Sequence, residues 1–365
     1  MKSPTIVTTS TSLSKMGSAY SPSQVADYLA YIGLPQSYHP SANPTLDLTY
    51  LTTLFIHHIT AIPYENLSIH YSPSHAISLD PQAVFSKIVA GASPADSGRP
   101  RRNRGGYCME VSILFHHILR ALGFPVHLTG VRIRPRVDGV PQGERYTGVV
   151  HLVNIVSLPS SSTDKGNDGD ESSREGPAAV KYAVDVGFGG DGMTRPLPLV
   201  EGLVHHNSIG TQEVRLAREF ISNQRFRDEG AEKMWIYQVR NAPDREWVSF
   251  FAFHDRFEFF EEDFAIANWF LSASPECHQT WTVLAIRFLR GEVETGREEE
   301  VRVVGKVMMV NGVVKKNVTG KTEVVKVCRT ESERVEALRE YFGILLTEEE
   351  AESIKGRKAE LVEKE

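Results

Sequence analysis

Apolar residues recur at helical spacing through the first third of the chain, in residues 23–34, 45–62 and 81–91. In the second of these, Leu46, Leu48, Leu51, Leu54, Phe55 and Ile59 form the stripe and Pro63 ends it. Ser23 is a candidate cap for the first, and Pro81 opens the third at a position where a missing N–H costs nothing. A fourth stripe, Val111, Leu114, Phe115, Ile118, Leu119 and Leu122, runs to Gly123 and Pro125. The pattern then changes to alternation. Residues 126–134, 151–156 and 180–190 read as strands, as do 234–240 and 246–254 with a turn between them. A helix is expected at 261–271. Strands follow within 281–289, 301–310, 313–318 and 321–328, with Asn311-Gly312 as a hairpin turn. A helix at 331–342 and a charged terminal helix or tail complete the chain. The first third is thus helical, the middle β-rich and the last mixed.

Two polar stretches interrupt the pattern. Residues 1 to about 20 are Ser/Thr-rich without an apolar leader core, and read as a disordered tail. The stretch from about 157 to 179 holds no core-forming residue beyond Leu158 and reads as a disordered insertion. The remaining composition, 41% hydrophobic and 24% charged, is that of an ordinary soluble globular protein. A net charge of −6 argues against nucleic acid as the main partner, and no apolar run reaches membrane-spanning length. Three widely spaced cysteines suggest no disulfide framework and fit a cytoplasmic setting. Neither the His57-His58 pair nor Cys277-His278 has the further ligands a metal site needs.

Cys108 opens the fourth helix, behind the Gly105-Gly106 turn and a cluster of Arg101, Arg102 and Arg104. A helix N-terminus and nearby guanidinium groups both favour a thiolate, so a lowered pKa is expected. The same cysteine also reads as a small core residue on a packing helix. His151 begins one strand and Asp185 ends the next. If the two strands pair with His151 opposite Asp185, both side chains share a face; a one-residue slip separates them. Cys108, His151 and Asp185 then compose a nucleophile, a base and an orienting carboxylate. An ordinary cross-strand polar pair is the alternative.

Residues 102–108 (RNRGGYC), the Thr147-Gly148-x-x-His151 element, residues 184–189 (VDVGFG) and residues 62–71 (IPYENLSIHY) together resemble the arylamine N-acetyltransferase family, and in overall pattern its fungal branch. The resemblance implies an α+β chain with a transglutaminase-like, cysteine-protease-like Cys-His-Asp core. Its parts are a helical domain over 1–123, a β-barrel domain over 124–250 and an α/β lid over 251–365. It implies ping-pong transfer of an acetyl or malonyl group from acyl-CoA, with no bound cofactor, to an arylamine, arylhydrazine or N-hydroxyarylamine. Cys108 would be acylated, with His151 as base and acid and Asp185 as its partner. Tyr64 and Phe188 would line the acceptor pocket, and Thr147 and Gly148 would lie beside the thioester end of CoA. A departure is Gly190-Asp191, where the family often has a basic residue after GFG; this bears on acceptor choice. The arginine cluster is a candidate for CoA phosphates, although Arg104 reads better as structural, bonded to a carboxylate such as Glu65. A Cys-His-Asp hydrolase or transglutaminase-like enzyme, and a non-catalytic protein on the same fold, are the competing readings.

Overall fold

The computed structural model describes residues 17–92, 101–137, 140–159, 179–207, 209–292 and 301–362. The chain begins with α1 (Pro22–Ile32) and α2 (Leu48–Ala61), then β1 (Tyr64–Glu65), α3 (Leu67–His70), α4 (Pro81–Ile88) and α5 (Cys108–Leu122). The cap of α1 is Ser21, not the expected Ser23. Its hydroxyl accepts from the Gln24 N–H at 3.3 Å and the Gln24 side chain accepts from the Ser21 N–H at 3.0 Å, so a reciprocal box sets the start one turn before the apolar stripe. Tyr20, assigned to the tail by composition, is buried against Phe85 and His117. The rest of that tail, residues 1–16, lies outside the described residues.

Helix α5 is the centre of this half. The sequence predicts one apolar stripe, but Cys108 through Leu119 are all buried, because α1, α4, a later helix α6 (Glu261–Ala273) and two strands surround the helix. Two of its buried polar side chains are paired: His116 Nδ1 meets Asn154 Oδ1 at 2.9 Å and Glu110 Oε1 meets Lys87 Nζ at 2.8 Å. Gly123, at φ +95°, ends the helix in the left-handed conformation the sequence anticipates.

The middle of the chain forms β2 (Val126–Ile133), β3 (Arg136–Val137), β4 (Val140–Pro141), β5 (Val149–Leu158), β6 (Val180–Val184), β7 (Leu197–Pro198), β8 (His205–His206), β9 (Glu213–Glu219), β10 (Met234–Arg240) and β11 (Val248–Phe253). Eight of these make one antiparallel sheet in the order β7-β6-β5-β2-β11-β10-β9-β8, and β3-β4 is a separate ribbon. Strand β5 continues through the buried Leu158, two residues further than composition suggests; residues 160–178 lie outside the described residues.

Helix α6 (Glu261–Ala273) follows, then β12 (Leu284–Glu292), β13 (Val301–Val310), β14 (Val313–Val318), β15 (Lys321–Val327), α7 (Glu331–Phe342) and α8 (Glu348–Glu352). Val310 faces Val313 across the Asn311-Gly312 turn, with Asn311 at φ +52°, as the hairpin signal predicts. The second sheet runs β1-β12-β13-β14-β15, so its edge strand comes from the first third of the chain. Asn66, just after that strand, bridges the two parts. Its amide donates to the carbonyls of Gln279 and Thr282, and its oxygen accepts from the Leu284 N–H.

Candidate active site

Cys108 is the first residue of α5 and is 6% exposed. The loop leading to it is held down by backbone approach. Gly106 accepts from the Glu65 N–H at 3.0 Å and donates to Pro63 at 3.3 Å. A Cβ on Gly105 would lie 1.7 Å from the Pro63 carbonyl oxygen, so no other residue fits there. On its other side Cys108 meets the turn after β6. A Cβ on Gly187 would stand 2.9 Å from the Cys108 carbonyl oxygen and 3.0 Å from its Cα.

Asp185 lies in that turn. Its Oδ1 accepts from the Gly187 N–H at 2.9 Å, and its Oδ2 accepts from His151 Nε2 at 2.8 Å. Both oxygens are therefore fixed, and the His–Asp pair is buried. The register differs from the expected one: Ile155 faces Ala183 and Ser157 faces Lys181, a shift of two residues. Strand side chains repeat every two residues, so this shift keeps His151 and Asp185 on one face, as diagonal neighbours instead of direct opposites.

The lowered thiol pKa is not found. Burial, and then the Asp185 charge, push the Cys108 thiol up, while the Met109 N–H at the helix start acts in the opposite direction. Two of the three arginines are engaged elsewhere. Arg104 Nε donates to Glu65 Oε1 at 3.0 Å and Nη1 to Glu350 Oε1 at 3.0 Å, and Arg102 pairs with the same Glu350. The structural reading of Arg104 is thus correct, and the charged C-terminal segment is its second partner. Burial pushes the Glu65 carboxyl up, but Arg104 and Lys87 outweigh it and hold the group at about 2.

Aromatic rings surround His151. Phe188 stands edge-on to it with centroids 5.5 Å apart, and Phe251 is 6.0 Å away; Tyr237 stacks on Phe251 at 4.7 Å. Tyr64 packs by the cluster that contains Cys108, and its hydroxyl accepts from Gln279 Nε2 at 2.9 Å. Thr147 is tied to the end of β2, its Oγ1 accepting from the Ile133 N–H at 2.9 Å, while Gly148 is exposed with open space beside it. No group of three or more His, Cys, Asp or Glu side chains at metal-binding distance occurs among the described residues.

Sequence reasoning missed the surroundings of Asp191. Arg136 Nη1 pairs with Asp191 Oδ2 at 3.0 Å, and Lys306 approaches Oδ1 at 3.4 Å while also donating to the Gly190 carbonyl. Cations thus reach this rim from β3 and β13, although residue 190 carries none. Tyr237 and Phe251 were legible only as alternating strand residues.

Residues 47–351 match a family described as N-acetyltransferase. An N-malonyltransferase, FDB2, of Fusarium pseudograminearum is 30% identical over 351 residues, 91% of this chain and 91% of that protein. Human arylamine N-acetyltransferase 1 is 34% identical over 176 residues, 48% of this chain and 47% of its own. Among solved structures, the arylamine N-acetyltransferase of Mycobacterium abscessus superposes with a TM-score of 0.67 at 22% identity, covering 92% of this chain and 95% of its own. That of Mycobacterium marinum in complex with CoA gives 0.65 at 22% identity, over 92% and 99%. Family match and full-length similarity agree with the motifs around Cys108, His151 and Asp185, and the chain belongs to the arylamine N-acetyltransferase family as a fungal-type acyltransferase.

Proposed function

We infer that the protein transfers an acetyl or malonyl group from CoA to an aromatic amine, hydrazine or N-hydroxyarylamine by a ping-pong route through Cys108. The observation that carries this reading is the clamp on Asp185. Its carboxylate holds His151 by Nε2, and the same turn packs on the backbone of Cys108. With Nε2 committed to Asp185, Nδ1 is the ring atom that faces the thiol chemistry.

A buried thiolate beside a carboxylate is unfavourable by itself, as the upward push on the Cys108 thiol indicates. A protonated His151 between the two anions removes that penalty, so proton transfer from Cys108 to His151 forms the nucleophile as an ion pair. Sγ attacks the thioester carbonyl, the bond to the CoA sulfur breaks, and His151 returns the proton to the departing thiol. The amine then attacks the thioacyl cysteine, His151 takes its proton, and the Cys108 sulfur leaves and is reprotonated. The N–H groups at the start of α5 suit the developing oxyanion.

Tyr64 and Phe188 would flank the planar acceptor, an arrangement favoured by the ring cluster on His151. Thr147 and Gly148, three or four residues before His151, would border the CoA thioester. In this reading the helices before Gly123, the eight-stranded sheet and the C-terminal sheet act as the three parts of the family's layout, the last as a lid.

The test is release of free CoA from acetyl-CoA and from malonyl-CoA, with and without 2-aminophenol or aniline. Amine-dependent release by the native protein, absent in Cys108→Ala, is expected. Amine-independent release would favour the hydrolase reading instead.

A further inference from the structure

Arg136 and Lys306 share one carboxylate, that of Asp191. Two cations against one anion leave a positive charge, carried on largely buried cationic side chains although the Asp191 side chain itself is 40% exposed. The Lys306 side chain is 7% exposed and that of Arg136 18%. Such a surplus is costly unless a further anion completes it. Lys306 packs directly on Gly190: a Cβ there would sit in ordinary contact with Nζ at 3.6 Å and tightly against Met308 Sδ at 3.0 Å.

The guanidinium is held flat. Its central carbon lies 3.8 Å from the centroid of the Phe250 ring and 5.4 Å from that of Phe188. Stacking fixes the plane and leaves the N–H edge for an in-plane acceptor. Among the described residues, Asp191 takes only Nη1; Nε and Nη2 have no hydrogen-bond partner. Phe188 is also the ring that touches His151 at 5.5 Å, so one aromatic ring separates the guanidinium from the base. A malonyl group carries its free carboxylate one methylene beyond the carbonyl under attack. It must therefore end close to the nucleophile and base, and the guanidinium packs on the same Phe188 ring that touches that base.

We propose that Arg136, oriented by Asp191, Phe250 and Phe188 and backed by Lys306, binds the free carboxylate of the acyl group and makes the enzyme prefer malonyl-CoA over acetyl-CoA. The assignment rests on the acyl-transfer reading above. Asp191 acts as a positioning residue, keeping Nη1 and the Lys306 amine in place, and the carboxylate of the donor adds the missing negative charge.

The test compares kcat/KM for malonyl-CoA and acetyl-CoA with aniline as acceptor, in the native protein, Arg136→Met, Arg136→Lys and Lys306→Met. The ratio of the two donors is the readout, since a general packing defect lowers both together. The native protein is expected to favour malonyl-CoA. The ratio should fall at least about tenfold in Arg136→Met, less in Lys306→Met, and recover partly in Arg136→Lys. If Arg136→Met does not fold, the other two variants read the same ratio. An unchanged ratio overturns the proposal. So does a loss seen only when 4-aminobenzoate replaces aniline, which would give the cation to the acceptor. A native protein inactive with both donors would overturn the acyl-transfer reading and this one with it, a result distinct from an active enzyme with an unchanged ratio.

Discussion

Asp185 is the residue on which the site's geometry turns, because each of its oxygens has a different task. One holds His151 and the other holds the Gly187 backbone that lies on Cys108. Asparagine would keep the shape but present an amide N–H to one of these two donors and remove the charge that stabilises an imidazolium. Asp185→Asn is therefore expected to lower kcat by roughly a thousandfold or more with little change in thermal stability. Acylation rates in a stopped-flow assay, alongside a melting curve, would check it; a drop smaller than about tenfold would mean that Asp185 is only a structural partner. The pairing of His151 with Asp185 was legible because strand residues alternate with period two. The register was not, because the segment joining β5 to β6 is about twenty residues long and so does not fix it as a tight hairpin would. The thiol shift was misjudged for a different reason. RRNR looks like a cationic site when read locally, but Arg104 and Arg102 pair with Glu65 and with Glu350, which is far along the chain.

At the scale of elements, the helices carry a pH sensor of stability that the sequence concealed. His57 and His58 sit on α2 and His116 on α5, all buried. Burial lowers His58 to about 3, and lowers His57 and His116 to about 4 against the ordinary 6.5. Below pH 6.5 the unfolded chain takes up protons that the folded one does not. Stability therefore falls as pH decreases, by about 1.4 kcal/mol per unit for each such histidine. The Glu65 carboxylate adds its own loss only lower, between about 4.5 and 2. Urea unfolding at pH 7.5 and pH 5 should give a lower midpoint at pH 5, with the gap narrowed in His58→Gln. Equal midpoints would contradict the account. From the sequence, the His57-His58 pair reads only as a pair without the further ligands of a metal site. The burial of all three follows from packing on several sides, of α2 against α1, β12 and β13 and of α5 against three helices and two strands, which periodicity along one strip cannot reveal.

Two of the places where the molecule joins distant segments bear on the site, one structural and one chemical. Glu65 and Asn66 from the first third meet the arginine turn, the Gln279–Thr282 loop and the second sheet. Asp191, from the turn after β6, gathers Arg136 and Lys306 from separate strands. The helical, β-rich and mixed thirds were legible from pattern, and the family from four short motifs in order. Contacts such as Lys306 with Asp191 were not, because they depend on how two sheets come together and leave no local signature. The central claim is that Cys108, served by His151 and Asp185, carries the acyl group. Intact-mass measurement of the protein after mixing with malonyl-CoA or acetyl-CoA, without amine, tests it most directly. The account predicts one acyl group per chain, located on Cys108 by peptide mapping, removed on adding aniline and absent in Cys108→Ala. An unmodified Cys108 in a protein that still releases CoA when amine is added would contradict it.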